Sequence, residues 1–359
     1  MSELADDTQP PDHHLASHLF NLAVLAGGTI GLAVLLNKLG WANANQVLRG
    51  VGAWFGAIVG LDVIGLCLDA AAIRQFMRPE ARMVSYWRVL CAQASGRAIN
   101  IFVPGGVVGE ATKVAMLVTH APRDRVLASI VLFNLATFYI SVAIVMIGVP
   151  ITALVVHLPR ELAIVVWIAL AILIPIVIAL GVIIHRGAIG IAANALRRVR
   201  ILSAARVASW QKQIEGLDAH LKELHSGQSP GTRAGLALLL VSRLVAWCAT
   251  ATVLHAVGVE LSATVLVGVL SVGVLISWVS ALVPFGLGIA DGSNYALFDV
   301  LGASGAHGLF VTMLGRARSI AIALIGLAMM GVAHAANRAS ISQRNRRRRD
   351  VLARRAVDA

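Results

Sequence analysis

Ionisable residues that interrupt long apolar runs mark where this chain can do chemistry, because each costs roughly 2.5–3.5 kcal/mol to place in lipid. They are Asp62, Asp69, Arg97, Glu110, Lys113, Arg243, Asp291, Arg316 and Arg318. The densest stretch reads Gln93-x3-Arg97-x2-Asn100, then Pro104-Gly105-Gly106-Val107-Val108-Gly109-Glu110-x2-Lys113. Helical spacing puts Gln93, Arg97 and Asn100 on one face. The glycines let the backbone turn, and a helix starting near Val107 would present N–H groups carrying partial positive charge. Arg97 with those donors can hold a phosphate or carboxylate, since a guanidinium fork donates two bonds at once. Equally, Arg97 can pair with Glu110 or Asp62 and simply keep the segment shut.

A second broken stretch reads Ser277-Trp278-x-Ser280, Pro284-Phe285-Gly286-Leu287-Gly288, then Asp291-Gly292-Ser293-Asn294. Asp291 near a helix start can serve as a cap, or act on a headgroup or a proton. Asp62 and Asp69 are seven apart, hence on one helix face; Asp62 is the deeper, and Asp69 is expected near the helix end, meeting Arg74 or water. Arg243 precedes Trp247 by four residues, which allows a cation–π contact. Arg316 and Arg318 are two apart and cannot share a face, so one of them is expected to face the bundle interior. The candidate binding residues are therefore Arg97, Asn100, Gly105, Gly106, Glu110, Pro284, Gly286, Gly288 and Asp291, and the candidate gating or proton-relay residues Asp62, Glu110, Arg243 and Arg316. No GxxxxGK, HExxH or GxSxG motif is present, so no ATP-hydrolysing loop, zinc hydrolase or serine nucleophile is expected by those routes. His14 and His18 lie in a polar arm and are read as a chance spacing. Cys67, Cys91 and Cys248 have neither CxxC nor metal-type spacing. No catalytic residue, metal or cofactor is assigned.

The elements that must position these residues follow from composition. Of 359 residues 58% are hydrophobic and 13% charged, with a mean hydropathy of +0.80; a soluble domain carries about 25% charged residues. The apolar runs do not alternate, which excludes a membrane β-barrel. Full spans are predicted at 17–37, 50–72, 126–149, 162–184, 234–257 and 306–334, each near the length a bilayer needs. The segments 84–119 and 262–302 are too long for one span and break at Pro104-Gly105-Gly106 and at Pro284–Gly288. They are read as two re-entrant helical hairpins. The fold class is thus an all-α polytopic membrane protein of six full spans and two re-entrant hairpins, arranged as an inverted repeat. It divides into a polar arm 1–16, a first membrane half 17–185, a basic amphipathic loop 186–233, a second half 234–335 and a basic tail 336–359. The tail is expected to be disordered beyond the membrane edge.

The formal charge of +12 gathers near Arg74–Arg88, in loop 186–233 and in the tail. It is read as topology and attraction to anionic headgroups, not as nucleic-acid binding. Six spans and two hairpins put all of these basic segments, and both termini, in the cytoplasm. The acidic N-terminus lacks a basic n-region and a small-residue cleavage site, so no cleaved signal peptide is expected.

The run Arg97-Ala98-Ile99-Asn100-Ile101-Phe102-Val103-Pro104-Gly105-Gly106-Val107-Val108-Gly109-Glu110, with Pro284–Gly288 and Asp291 downstream, resembles the flippase-like transmembrane region of lysylphosphatidylglycerol synthases. One branch of that family is associated with hopanoid biosynthesis. The resemblance covers roughly 17–335 and implies a bundle with re-entrant helices that moves or binds a polar lipid. Arg97, Glu110 and the two Pro-Gly breaks carry over, whereas Asp291 stands where the family often has Glu. Lysyl transfer is not expected, since a short basic tail follows the last span in place of a large soluble domain. The expected function is that of a lipid flippase of the bacterial inner membrane, handling a phospholipid or polyisoprenoid lipid and not acting as an enzyme. The alternatives are an accessory protein partnering lipid-biosynthesis enzymes, or a membrane-embedded lipid transferase or hydrolase.

Overall fold

The computed structural model describes residues 50–103, 106–156, 230–281 and 288–357, with side chains to residue 335, and scattered positions between 167 and 178. The predicted spans 17–37 and, almost entirely, 162–184 lie outside the described residues, as do the polar arm and nearly all of loop 186–233. We number the described helices α1 (Ala53–Phe76), α2 (Tyr86–Phe102), α3 (Val107–Leu117), α4 (Arg123–Val155), α5 (Pro230–Val257), α6 (Ala263–Ser280), α7 (Ile289–Val300) and α8 (Gly305–Val357). Among the described residues there is no strand, and five helices (α1, α4, α5, α6 and α8) are long and apolar enough to cross a membrane. The chain is an all-α multi-pass membrane protein.

α1 and α5 form the central antiparallel pair. Gly231 and Gly235, at the start of α5, lie against Gln75 and Phe76, at the end of α1. Halfway along, Ser242 Oγ lies 3.2 Å from the Gly65 carbonyl oxygen. At the other end Trp54 meets His255 edge-on, with ring centroids 4.9 Å apart. The pair thus defines two ends of the bundle: a first end at Phe76 and a second at Leu254.

The helices α2 and α3 form a hairpin from the first end. At about 1.5 Å per residue, the eleven residues of α3 rise roughly 16 Å, well short of the ~30 Å apolar core. Both feet return to one apolar cluster, which holds Phe76, Met77, Val84, Val89, Leu117 and Ala121. The second hairpin does the same from the opposite end. Val259 and Val265 before and on α6 cluster with Leu297, Phe298 and Leu301 on and after α7, against Leu254. By length α6 is a span, but the twelve-residue α7 brings the chain back.

The halves exchange partners. α2 packs on α8, where Gly326 crosses Ala94 and Ala98, and α6 packs on α4, where Thr152 meets Ser271 at 3.4 Å and Phe138 stacks on Trp278 with centroids 5.7 Å apart. The first arm of each hairpin therefore leans on a helix of the other half. Basic residues are unequally shared between the ends. Arg74, Arg78, Arg82, Arg88, Arg123 and Arg125 flank the first hairpin, and no Lys or Arg occurs between Arg243 and Arg316.

The tail departs from expectation. The α8 helix continues through it to Val357. Past Gly331 the sequence has neither Gly nor Pro, and its Ala, Arg, Gln and Leu residues favour helix on their own.

Candidate functional site

Two polar constellations hang on this frame. The first joins α1 to three neighbours. Asp62 and Asp69 lie on one face of α1 and are 5% and 2% exposed. The Arg318 guanidinium of α8 forks onto Asp62. Arg243 of α5 donates to Asp69 at 3.0 and 3.2 Å, and Ser242 adds a third bond at 2.6 Å. Arg97 of α2 reaches the same Asp69 at 4.0 Å. A buried carboxylate persists only when paired, and α1 can carry two of them because three other helices supply cations at the right heights.

Among the described residues the balance is uneven: two carboxylates face three guanidiniums. Arg97 is the surplus. It is farthest from a carboxylate, and 39% of its side-chain surface is open, against 23% for Arg243 and 22% for Arg318. It nonetheless lies deep among the helices, within electrostatic range of both aspartates. With its nearest carboxylate 4.0 Å away, Arg97 is the most loosely held guanidinium of the three.

The second constellation is the pair of hairpin tips. In the first, the Asn100 carbonyl oxygen accepts from Gly109 N–H at 2.9 Å, capping α3 from across the turn. Gly106 enters α3 with φ of 69°, the left-handed region that glycine enters without steric cost. Gly109 packs so closely on Gly96 and Asn100 that any Cβ there would collide with both. Glu110 then accepts from Lys113 at 2.7 Å, Asn134 of α4 at 2.9 Å and Asn100 at 3.4 Å. In the second tip, Asp291 accepts from Gly288 N–H at 3.0 Å, folding back over the first turn of α7, and from Arg316 of α8 at 2.6 Å. Each second arm thus carries an acid in its first turn, latched to the helix that follows it. Asn134 and Arg316 stand at corresponding heights, about three turns into α4 and α8. On α4, Asn134 touches the first hairpin and Phe138, one turn on, touches the second. The two hairpins therefore rest on neighbouring turns of α4.

Several expectations change. Asp69 is not a surface residue meeting Arg74 but the most heavily bonded carboxylate of the network. Arg97 approaches Asp69, neither Glu110 nor Asp62. Gln93, Arg97 and Asn100 diverge: Arg97 turns to α1 and Asn100 to α3. Arg243 spends its guanidinium on Asp69, and the cation–π contact present among the described residues is Lys113 over Phe133 at 5.8 Å. Both Arg316 and Arg318 find carboxylates, on different neighbours. Gly105, Pro284 and Gly286 lie outside the described residues. Asp69, Arg318 and Asn134 are the site residues that spacing did not select; a lone Asn in the apolar run Val131-Leu132-Phe133-Asn134-Leu135 was a signal for the last. Among the described residues no group of three His, Cys, Asp or Glu side chains is placed to hold a metal ion.

No curated protein and no solved structure matches the chain significantly. A family model does, over residues 19–326, which takes in both hairpins and all the charged residues of the network. The chain belongs to the family described as the lysylphosphatidylglycerol synthase transmembrane region.

Proposed function

We propose that the protein carries a lipid with an anionic headgroup between the leaflets of the bacterial inner membrane, as a flippase and without altering the lipid chemically. The first end of the bundle is then cytoplasmic, with both termini, because the basic residues gather there. One observation carries the reading: among the described residues a network inside the bundle holds three guanidiniums against two carboxylates, and the surplus cation, Arg97, is partly open, in this reading onto a crevice for the headgroup. A buried surplus charge is unfavourable unless an anion completes it. A phosphate headgroup supplies that anion, and the fork of Arg97 suits it. The latched acids Glu110 and Asp291 sit at the hairpin tips, where release of a latch would let the headgroup pass from one hairpin to the other.

The test is leaflet exchange of fluorescent lipids in proteoliposomes of purified protein. Faster exchange of a phosphate-bearing lipid than in protein-free vesicles is expected. Tight retention of a lipid without exchange would instead indicate an accessory role in lipid biosynthesis, including that of hopanoids. A chemically altered lipid would indicate an enzyme.

A further inference from the structure

A second anion site stands apart from the Arg97 network, at the first end of the bundle. There a cavity of about 490 Å³ is lined by Arg74, Gln75, Arg78, Arg82 and Gly231, with Pro79 and Ala81. The arginines recur every four residues: Arg74 lies in the last turn of α1, Arg78 in the turn that follows it and Arg82 on the short 3-10 turn Glu80–Arg82. Arg74 uses its Nε on the Val84 carbonyl at 3.2 Å, which fixes the guanidinium and leaves its two terminal nitrogens for a ligand. The stem of Arg78 lies along Gly231, where an added Cβ would stand only 3.0 Å away. Among the described residues neither Arg78 nor Arg82 meets a carboxylate. The one acid of this turn, Glu80, is taken by the buried Arg125 at 3.0 Å, so it does not neutralise the cavity. The start of α5, at Gly231, adds the positive end of a 28-residue helix.

A surface placed only to orient the chain in the membrane would show arginines spread in solvent. Here three line one concavity, and the neighbouring acid is held elsewhere. Met83, Tyr86 and Trp87, exposed at 64%, 37% and 53%, follow directly in the chain. Exposed aromatic residues of this kind sit at headgroup depth.

We infer that the Arg74–Arg78–Arg82 cavity binds a phosphate group, on a lipid headgroup or on a water-soluble phosphate ester. The site does not depend on transport through the Arg97 crevice.

The test uses the full chain in a neutral detergent. Native mass spectrometry follows titration with phosphatidic acid, with and without glycerol phosphate as a soluble competitor. The double variant Arg78→Gln/Arg82→Gln is expected to weaken lipid binding about tenfold, the loss of roughly one charge-assisted contact. Arg88→Gln removes the same charge from the same end but outside the cavity, and is expected to bind as the wild type does. Displacement of the lipid by glycerol phosphate would assign the site to soluble phosphates, and no displacement would assign it to lipid. An equal loss in Arg88→Gln, or no loss in the double variant, would overturn the inference. If the double variant does not fold, Arg82→Gln alone decides it, because the exposed Arg82 has no bond in the structure to lose.

Discussion

Asp69 accepts from Ser242 and Arg243 and stands 4.0 Å from Arg97, so neutralising it leaves two buried guanidiniums without their counter-charge. Asp69→Asn is expected to destabilise the protein by about 3–5 kcal/mol, read as a lowered unfolding midpoint in detergent. Adding Arg243→Gln is expected to restore part of that loss, since it removes one of the stranded cations; no restoration would mean the pair is not coupled. Gly109 gives a second residue-level expectation. Gly109→Ala drives a methyl into Asn100 and Gly96 and is expected to cost roughly 1–3 kcal/mol, while Gly315→Ala, with open space around it, is expected to be neutral or slightly stabilising. Ionisable residues in apolar runs named Arg97, Glu110 and Asp291 from the sequence alone. Their partners were not legible in the same way. A seven-residue spacing puts Asp62 and Asp69 on one face, but it does not reveal which helices stand opposite or at what height. That depends on the antiparallel fit of α1 to α5 and on the exchange of arms between halves.

The hairpins are the elements that make a site out of these residues. Their breaks were legible because Pro and Gly fall together there, whereas Pro150 alone does not end α4, and the structure returns each short second arm to its own foot. The tail was misread because basic charge was taken as disorder although nothing in it stops a helix. If the hairpins enter from opposite ends, their feet face opposite sides of the membrane. Single cysteines at Trp87 and Leu261, both exposed, in a chain with Cys67, Cys91 and Cys248 replaced, are expected to react with an impermeant maleimide from opposite sides of a vesicle. Labelling from one side alone would refute the arrangement. The second latch has its own check. A double-mutant cycle on Asp291→Asn and Arg316→Gln is expected to show coupling of about 0.5–3 kcal/mol in unfolding, as for residues in direct contact, and additive effects would show that the ion pair does not hold the hairpin.

At the scale of the molecule, an apolar chain with few charges sets one group of them, among the described residues, at the basic first end and another in the core network. The first suits the membrane surface and the second suits a charged cargo inside the bundle. Membership of the lysylphosphatidylglycerol synthase transmembrane family points to a membrane lipid-related role, and under the proposal the surplus guanidinium of Arg97 gives the cargo its sign. Charge selectivity is therefore the most direct test. Exchange rates of a phosphate-bearing anionic lipid and a zwitterionic one are compared in the same proteoliposomes, for the wild type and for Arg97→Gln. The wild type is expected to favour the anionic lipid, and folded Arg97→Gln to lose that preference by about tenfold, the worth of a charge-assisted contact. An unchanged preference in the variant, or exchange of neither lipid by the wild type, would contradict the proposal.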